Sequence, residues 1–112
     1  MAFLDLLFQF FVLHALLDFA LQPNVMASAK CRHSRYHQRA GDDFPPWYYW
    51  LGAHSLGHGG AVYIISGNLA LGLVETVLHA LIDHVKCEKK TSIAIDQGLH
   101  ILCKVAYCII LV

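Results

Sequence analysis

One nine-residue stretch limits what this chain can fold into more than any other. From Glu75 through His79 to Asp83, an ionisable side chain recurs at every fourth position, and nearly all the residues between are apolar. On an α-helix, positions i, i+4 and i+8 lie on one face. The stretch therefore predicts a helix with a polar strip on an otherwise apolar surface. Such a strip needs a partner within the protein, because burying ionisable groups alone is costly.

Three other apolar segments carry polar strips of the same kind, with imidazole or carboxyl groups one helical turn apart. These strips are His14 with Asp18 and Gln22, His54 with His58, and Asp96 with His100. We predict that all four strips converge on one metal-binding cluster. Its candidate ligands are His14, Asp18, His54, His58, Glu75, His79, Asp83, Asp96 and His100.

The composition places this cluster in a membrane. The chain is 57% hydrophobic and only 14% charged, whereas soluble domains are roughly 45–50% apolar and about 25% charged. We therefore predict a single all-α domain over residues 1–112, a four-span transmembrane helix bundle with a polar His/carboxylate core. The predicted spans are residues 3–22, 47–67, 69–86 and 93–112, and residues 23–46 form a polar basic loop.

The basic residues predict an orientation. The first connection holds four Lys or Arg residues, the third holds three, and the second holds none. By the positive-inside rule, the first and third connections face the cytoplasm, so both termini lie outside a cytoplasmic (inner) membrane. We predict a short amphipathic helix at the membrane surface over residues 24–38. The aromatic run at residues 47–50 predicts a belt at the membrane interface. A formal net charge of zero gives no basic field for nucleic acid.

Depth along each span supports one shared cluster. At ~1.5 Å rise per residue, Asp18, Asp83 and Asp96 fall ~5–6 Å below the cytoplasmic face. Four imidazoles fall at ~10–12 Å, namely those of His14, His54, His79 and His100. His58 and Glu75 fall at ~16 Å, with Lys104 near them. The remaining histidines, His33, His37 and His84, fall outside these layers.

Mixed imidazole and carboxylate ligands suit Zn²⁺, Mn²⁺ or Fe²⁺ better than Ca²⁺. Two divalent ions would formally balance four carboxylates, and a single ion with a hydrogen-bonded surrounding shell is the alternative. A metal-free hydrogen-bond network also fits the pattern, with Asp–His pairs satisfying each other and Lys104 neutralising Glu75.

A divalent ion in an open site would activate water, so the pattern suggests a hydrolase. Asp18, Asp83 and Asp96, in the shallow layer, are the candidate general bases. The four basic residues of the first connection, with Lys86, Lys89 and Lys90, would surround the mouth of the site. Of these, Arg32, Arg35, Arg39 and Lys86 are the candidate rim for a phosphate-bearing substrate, such as an anionic lipid head group or a nucleotide.

Several non-enzymatic interpretations stay open. A metal or proton pathway would need polar residues through the whole thickness, but 61–65 and 105–112 are nearly all apolar. A structural or regulatory protein that binds partner spans, a homo-oligomer, and a soluble bundle with a di-metal core are further alternatives. The four cysteines match no zinc or disulfide pattern, so we expect them to be small core or lipid-facing residues.

The four polar motifs together resemble DUF3307, a family of small predicted membrane proteins of bacteria and their phages. The resemblance rests on His14-Ala-Leu-Leu-Asp18-Phe-Ala-Leu-Gln22, the His54/His58 pair, Glu75-xxx-His79-xxx-Asp83 and Asp96-Gln97-xx-His100. It covers most of spans one, three and four, and it implies a membrane location without a settled activity. A more distant similarity, at fold level only, is to membrane proteins described as metal-dependent hydrolases.

Overall fold

The computed structural model describes residues 2–39 and 43–112, and within these ranges the protein is all-α. Four long helices dominate, and two short helices lie in the first connection. In chain order they are α1 (Phe3–Ala15, continued by a π-helical turn Leu16–Ala20), α2 (Asn24–Ala29), α3 (Tyr36–Arg39), α4 (Trp47–Ser66), α5 (Leu69–Cys87) and α6 (Ile93–Leu111). Each segment predicted as a span contains one long helix.

Local chemistry explains where the long helices begin and end. Pro46 precedes α4 in extended conformation, and proline is well tolerated at such a start because its missing N–H needs no partner there. Gly67 ends α4 with φ +67, a left-handed conformation that glycine adopts without steric cost. The side chains of Asn68 and Ser92 accept hydrogen bonds from Leu71 N and Ile95 N, which caps α5 and α6.

Helices α4 and α5 pack closely because two glycines face each other. A Cβ at Gly59 would lie 1.8 Å from Thr76 Oγ1 and 2.6 Å from the Gly72 carbonyl oxygen. A Cβ at Gly72 would lie 2.9 Å from the Gly59 carbonyl oxygen. The absence of both side chains lets the two backbones approach, as small residues do between membrane helices. This contact fixes the position of the α4 imidazoles relative to α5.

The distribution of polarity is inverted relative to a soluble bundle. On α5 the buried residues include Glu75, His79 and Asp83, whereas Val77 and Leu81 are 58% and 57% exposed. Two helical segments, Phe3–Ala20 and Ile93–Leu111, are long and apolar enough to cross a membrane by length and composition. The inward-facing His, Gly and acidic residues of α4 and α5 reduce the mean hydropathy of those two helices.

The end of the bundle near the α4–α5 turn is filled by apolar side chains. Its buried members are Leu6, Phe10, Val62, Leu71, Tyr107 and Cys108. Phe10 and Tyr107 meet edge to face, with ring centroids 6.2 Å apart. We call this group the apolar plug. It closes the bundle on the side opposite the long first connection.

The first connection differs from the expected single surface helix. It forms the two short helices α2 and α3, and α2 ends at buried Ala29 followed by buried Lys30. The described part of the chain also corrects the expectation for the cysteines, because Cys31 and Cys87 form a disulfide. Sequence spacing gave no sign of this bond, since the two residues are 56 positions apart. Cys108 is buried, as expected, and Cys103 is half-buried.

Three consecutive residues attach this connection to the end of α5. Lys30 Nζ donates to Asp83 Oδ2 at 2.9 Å, Cys31 is bonded to Cys87, and Arg32 forms an exposed ion pair with Glu88. We call residues 30–32 the strap. It holds the connection over the end of the bundle where the polar strips lie.

Candidate metal centre

The structure brings together all nine residues predicted as ligands. Each is at most 7% exposed, and each lies within 3.6 Å of another member through an imidazole nitrogen and a carboxylate oxygen. The members come from α1 and its π-helical turn, α4, α5 and α6. They are His14, Asp18, His54, His58, Glu75, His79, Asp83, Asp96 and His100.

Asp18 is the centre of this cluster. It lies in the π-helical turn, where Leu21 N donates to Leu16 O at 2.7 Å, and such turns often redirect a functional side chain. One carboxylate oxygen, Oδ1, lies 3.0 Å from His54 Nε2, 2.9 Å from His58 Nε2 and 3.5 Å from His79 Nε2. Three imidazoles from two helices thus approach a single oxygen atom.

The three N···O separations at Asp18 are close to the edge length of a tetrahedral metal site. Ligands about 2.0–2.1 Å from a zinc ion lie roughly 3.3 Å from one another in tetrahedral geometry. The four ligand atoms of Asp18, His54, His58 and His79 lie within 4.8 Å of one another. Within the described residues, Nε2 of His58 and Nε2 of His79 are buried, and they lie close to Asp18 Oδ1 without the geometry of a hydrogen bond. Buried, unpaired nitrogens directed at one carboxylate are the arrangement that a metal ion would complete.

Two further groups could also hold a metal, but they share ligands with the first. One contains His79, Asp83 and His100, and the other contains Asp18, Asp96 and His100. Nε2 of a neutral imidazole has one lone pair, so His79 can serve only one ion through that atom. The first group is the largest of the three and has the shortest contacts. We therefore take it as the primary site.

Residues around the primary site hold its ligands in place. Glu75 Oε2 lies 3.5 Å from His79 Nδ1, and a carboxylate behind a ligating imidazole is typical of metal sites. Glu75 is itself held by Lys104 Nζ at 2.6 Å and by the Tyr107 hydroxyl at 2.8 Å. The pairing of Lys104 with Glu75 is the one that the metal-free alternative proposed, and it is compatible with both interpretations.

A second supporting chain fixes Asp18. Gln97 Nε2 donates to Asp18 Oδ2 at 3.0 Å, and His14 Nε2 lies 2.9 Å from Gln97 Oε1. Both oxygens of the Asp18 carboxylate are thus oriented by partners from other helices. The amide of Gln97 follows Asp96 directly in the sequence, which is the one signal that it would lie near the cluster.

Lys30 is buried against the cluster, whereas the sequence predicted it only as one of the basic residues around the mouth of the site. It is 5% exposed, and its ammonium is shared between Asp83 Oδ2 at 2.9 Å and Gln22 Oε1 at 3.0 Å. In the sequence it is one of four basic residues in a polar connection, so nothing marks it as buried. Only the folding of α2 over the bundle brings it to the cluster.

A cavity connects the cluster to the surface beneath the strap. Its volume is about 520 Å³, and its lining includes Lys30, Asp83, Lys86 and Lys89. This cavity distinguishes the three predicted general bases, because Asp83 alone among them contributes to its lining. Asp18 is surrounded by imidazoles and Gln97. Asp96 is 1% exposed, and one of its oxygens has no hydrogen-bond partner among the described residues.

The predicted basic rim is only partly placed at this cavity. Lys86 contributes to the cavity wall, and Arg35 is exposed. Arg32 instead pairs with Glu88, and hydrogen bonding with Arg32 lowers the pKa of the Glu88 carboxyl to about 2. The side chain of Arg39 lies outside the described residues.

Fold and site together define a class: an all-helical bundle whose buried His/Asp cluster could hold a metal ion. Comparison of the chain with protein-family models, with curated proteins and with solved structures gives no match.

Proposed function

We propose that this protein is a four-span membrane bundle that binds one divalent metal ion and uses it to hydrolyse a substrate. The proposed ligands are Asp18, His54, His58 and His79. The observation that carries the proposal is the approach of three buried imidazole nitrogens to one oxygen of Asp18, at 2.9 to 3.5 Å. Zinc is the metal that best matches this ligand set and spacing, and Mn²⁺ and Fe²⁺ are the alternatives.

Charge balance supports a single ion. The cluster and its surroundings contain four buried carboxylates, and the buried ammonium groups of Lys30 and Lys104 supply two positive charges. With neutral imidazoles, two negative charges remain, which is the charge that one divalent cation neutralises. The sequence does not reveal that Lys30 is buried beside the cluster, so two ions fit equally well on sequence alone.

The inverted polarity supports membrane insertion of all four long helices. Large apolar side chains cover the outside of every one of them, for example Phe8, Ile64, Leu81 and Leu102, which are 57–80% exposed. Exposed apolar surface on this scale is rare in soluble monomers. The long axis of the protein is 49 Å, which is enough to cross a bilayer of roughly 40–45 Å including the head groups.

Two features of the basic connections favour opposite orientations of the protein in the membrane. Their Lys and Arg residues favour a position of these connections on the cytoplasmic side. The disulfide joins these same two connections, and disulfides persist mainly in oxidising compartments. The orientation with both termini outside is thus supported by charge alone, and cysteine labelling is its direct test.

Hydrolysis is favoured over a conduit by the shape of the interior. The cavity lies beneath the strap, and the apolar plug fills the opposite end of the described bundle. A conduit would need polar groups through that end. A bound divalent ion would lower the pKa of a coordinated water and so supply a hydroxide nucleophile. Asp83, between the cavity and the imidazoles, would accept the proton of the attacking water.

Elemental analysis of detergent-purified protein tests the metal site. We expect about one equivalent of Zn, Mn or Fe in the wild type and none in His58→Gln, with helical content unchanged. His84→Gln is the matched control, because His84 stacks on Trp47 outside the cluster, and it should keep the metal. A wild-type protein that folds normally and never binds metal would support the hydrogen-bond network instead. Membership of DUF3307 is a separate proposal that rests on the sequence motifs.

A further inference from the structure

The cavity beneath the strap has a chemical character that the metal proposal does not use. Three lysines line it, Lys30 at its buried end and Lys86 and Lys89 nearer the surface. Among the lining residues, Asp83 is the acidic one, and its Oδ2 already accepts from Lys30. The wall therefore carries an excess of positive charge directly beside the cluster.

Lys86 and Lys89 are available to a ligand. Within the described part of the chain, neither ammonium makes a hydrogen bond or an ion pair. Their neighbour Arg32 is different, because Glu88 engages its guanidinium. Ser28, whose hydroxyl is hydrogen-bonded to that of Ser34, and Asn24 also line the cavity. The cavity thus offers cations together with neutral hydrogen-bond donors.

The backbone at Lys89 adds a second observation. Lys89 has φ +62, and it is the one non-glycine residue with positive φ within residues 2–39 and 43–112. Glycine would adopt this conformation at lower cost at the end of a helix. A lysine at this position carries a steric cost, and it also places a cation on the cavity wall. The positive φ of Lys89 therefore singles out its side chain for a functional hypothesis.

We infer that this cavity binds the phosphate group of a phosphate monoester and presents it to the metal centre. The inference rests on the proposed hydrolase and names its substrate class. Lys86 and Lys89 bind the phosphate oxygens, and Lys30 lies at the junction with the cluster. Ammonium groups bind phosphate as point charges. A volume of about 520 Å³ is within the usual range for small-molecule sites.

The hydrolytic step balances with water as the only co-reactant. The water oxygen forms a bond to phosphorus and gives one proton to the Asp83 carboxylate. The bond between phosphorus and the leaving oxygen breaks, and its electron pair stays on that oxygen. The proton held by Asp83 then passes to the leaving oxygen. The products are an alcohol and inorganic phosphate, and Asp83 returns to its ionised form.

Binding of inorganic phosphate to the detergent-purified protein tests the inference. We expect Lys86→Met and Lys89→Gly each to weaken phosphate binding by roughly tenfold or more, as expected for loss of a charge-assisted contact. Lys90→Met is the matched control and should bind phosphate like the wild type, because Lys90 is exposed and does not line the cavity. Equal phosphate binding by all four proteins, or none by any, would overturn the inference.

Two further measurements, the melting temperature and the metal content of each variant, show why phosphate binding is lost or retained. Lys89→Gly should melt at the same or a higher temperature than the wild type, since glycine suits the positive φ, so weaker binding would not reflect misfolding. All variants should keep one equivalent of metal. Phosphate binding by a wild type that never binds metal would support the cavity and refute the metal centre. Metal without phosphate binding would refute the cavity alone.

The source of the phosphate group is decided by competition. Phosphatidic acid in phosphatidylcholine vesicles will displace inorganic phosphate if the natural substrate is a lipid. A soluble sugar phosphate will displace it, and the vesicles will not, if the substrate comes from the aqueous phase. Either result supports the shared chemistry. Failure of both ligands to displace phosphate would contradict a phosphate-monoester site.

Discussion

The two ends of the bundle are held together by different forces. At the strap end, charged and imidazole groups from four helices meet in a cluster, and a disulfide crosses between two connections. At the other end, the apolar plug relies on contacts such as Phe10 with Tyr107. In a membrane, lipid competes well for apolar groups but not for buried charges. In the proposed function, the strap end carries the chemistry, whereas the apolar plug fills the other end of the described bundle.

The pair of Lys104 with Glu75 lies between the two ends, so breaking it should have the largest effect. Lys104→Met leaves Glu75 buried with the Tyr107 hydroxyl but without its cationic partner, a loss that costs about 3–5 kcal/mol in comparable buried pairs. Since Glu75 also supports His79, we expect metal affinity to fall about 10–100-fold. Unfolding in detergent and metal titration measure the two effects.

The control for this experiment is the double variant Lys104→Met/Glu75→Gln, in which no unpaired charge remains. It should recover most of the stability while metal binding stays weak. If the single variant is as stable as the wild type, the ion pair of Lys104 with Glu75 does not contribute to the stability of the bundle.

Removing the disulfide should loosen the strap end alone. Cys31→Ser should lower the free energy of unfolding by about 2–4 kcal/mol, because the bond closes a long loop in the unfolded chain. Cys103→Ser, at a half-buried free cysteine of α6, is the control and should have a smaller effect. Chemical denaturation of the oxidised proteins measures the difference. Equal losses in the two variants would show that the bond does not stabilise this end.

The same cysteines report the orientation. Since Cys31 and Cys87 are bonded, we expect neither to react with a maleimide in intact cells before a reductant is added. Labelling of both by a membrane-impermeant maleimide once a membrane-impermeant reductant is added would place the basic connections in an oxidising compartment and the termini in the cytoplasm, the reverse of the orientation that charge favours. Rapid labelling from the cytoplasmic side without reductant would instead support the charge-based orientation.

The glycine contact between α4 and α5 tests how closely the cluster depends on packing. Gly59→Ala would place a Cβ 2.6 Å from the Gly72 carbonyl oxygen, and such overpacking typically costs about 1–3 kcal/mol. Gly60→Ala is the matched control, because a Cβ at that position would meet no heavy atom within 4 Å. It should stabilise the helix by up to roughly 1 kcal/mol. Thermal unfolding of both variants shows whether the close contact between Gly59 and Gly72 is needed for the stability of the bundle.

The smallest effect is expected at the exposed pair of Arg32 with Glu88. Its hydrogen bonds hold the pKa of Glu88 at about 2, below an ordinary value of 4.5. Any stabilisation by this carboxylate is therefore present above about pH 4.5 and is lost as the pH falls through 2. NMR titration should show the pKa of Glu88 rising towards 4.5 in Arg32→Gln. An unchanged pKa would show that the strap does not hold Glu88 in solution.

Much of the cluster could be predicted because helical geometry is local. The spacing of Glu75, His79 and Asp83 places three side chains on one face, whatever surrounds the helix. The constant rise per residue also gives each polar residue a depth relative to its nearest connection. The all-α fold is confirmed by the structure, and the nine candidate ligands lie together in it, seven of them in groups that could hold a metal ion.

The rest depends on contacts between segments far apart in the chain. The spacing of residues along a helix does not determine which neighbouring helix a polar strip faces. Asp18 contacts three imidazoles because the helix that carries it packs against α4 and α5. The first connection has no periodic pattern that encodes its path. Its burial of Lys30 and its bond from Cys31 to Cys87 therefore emerged only in three dimensions.

Residue order on a regular helix is enough to establish the four polar strips, their depths and the apolar surface around them. Folding in three dimensions selects which groups form the primary site, brings two lysines into its charge balance, and opens a basic cavity that reaches it at Asp83. The division arises because electrostatic and hydrogen-bond partners are chosen by distance in space, and the distance between helices is set by packing.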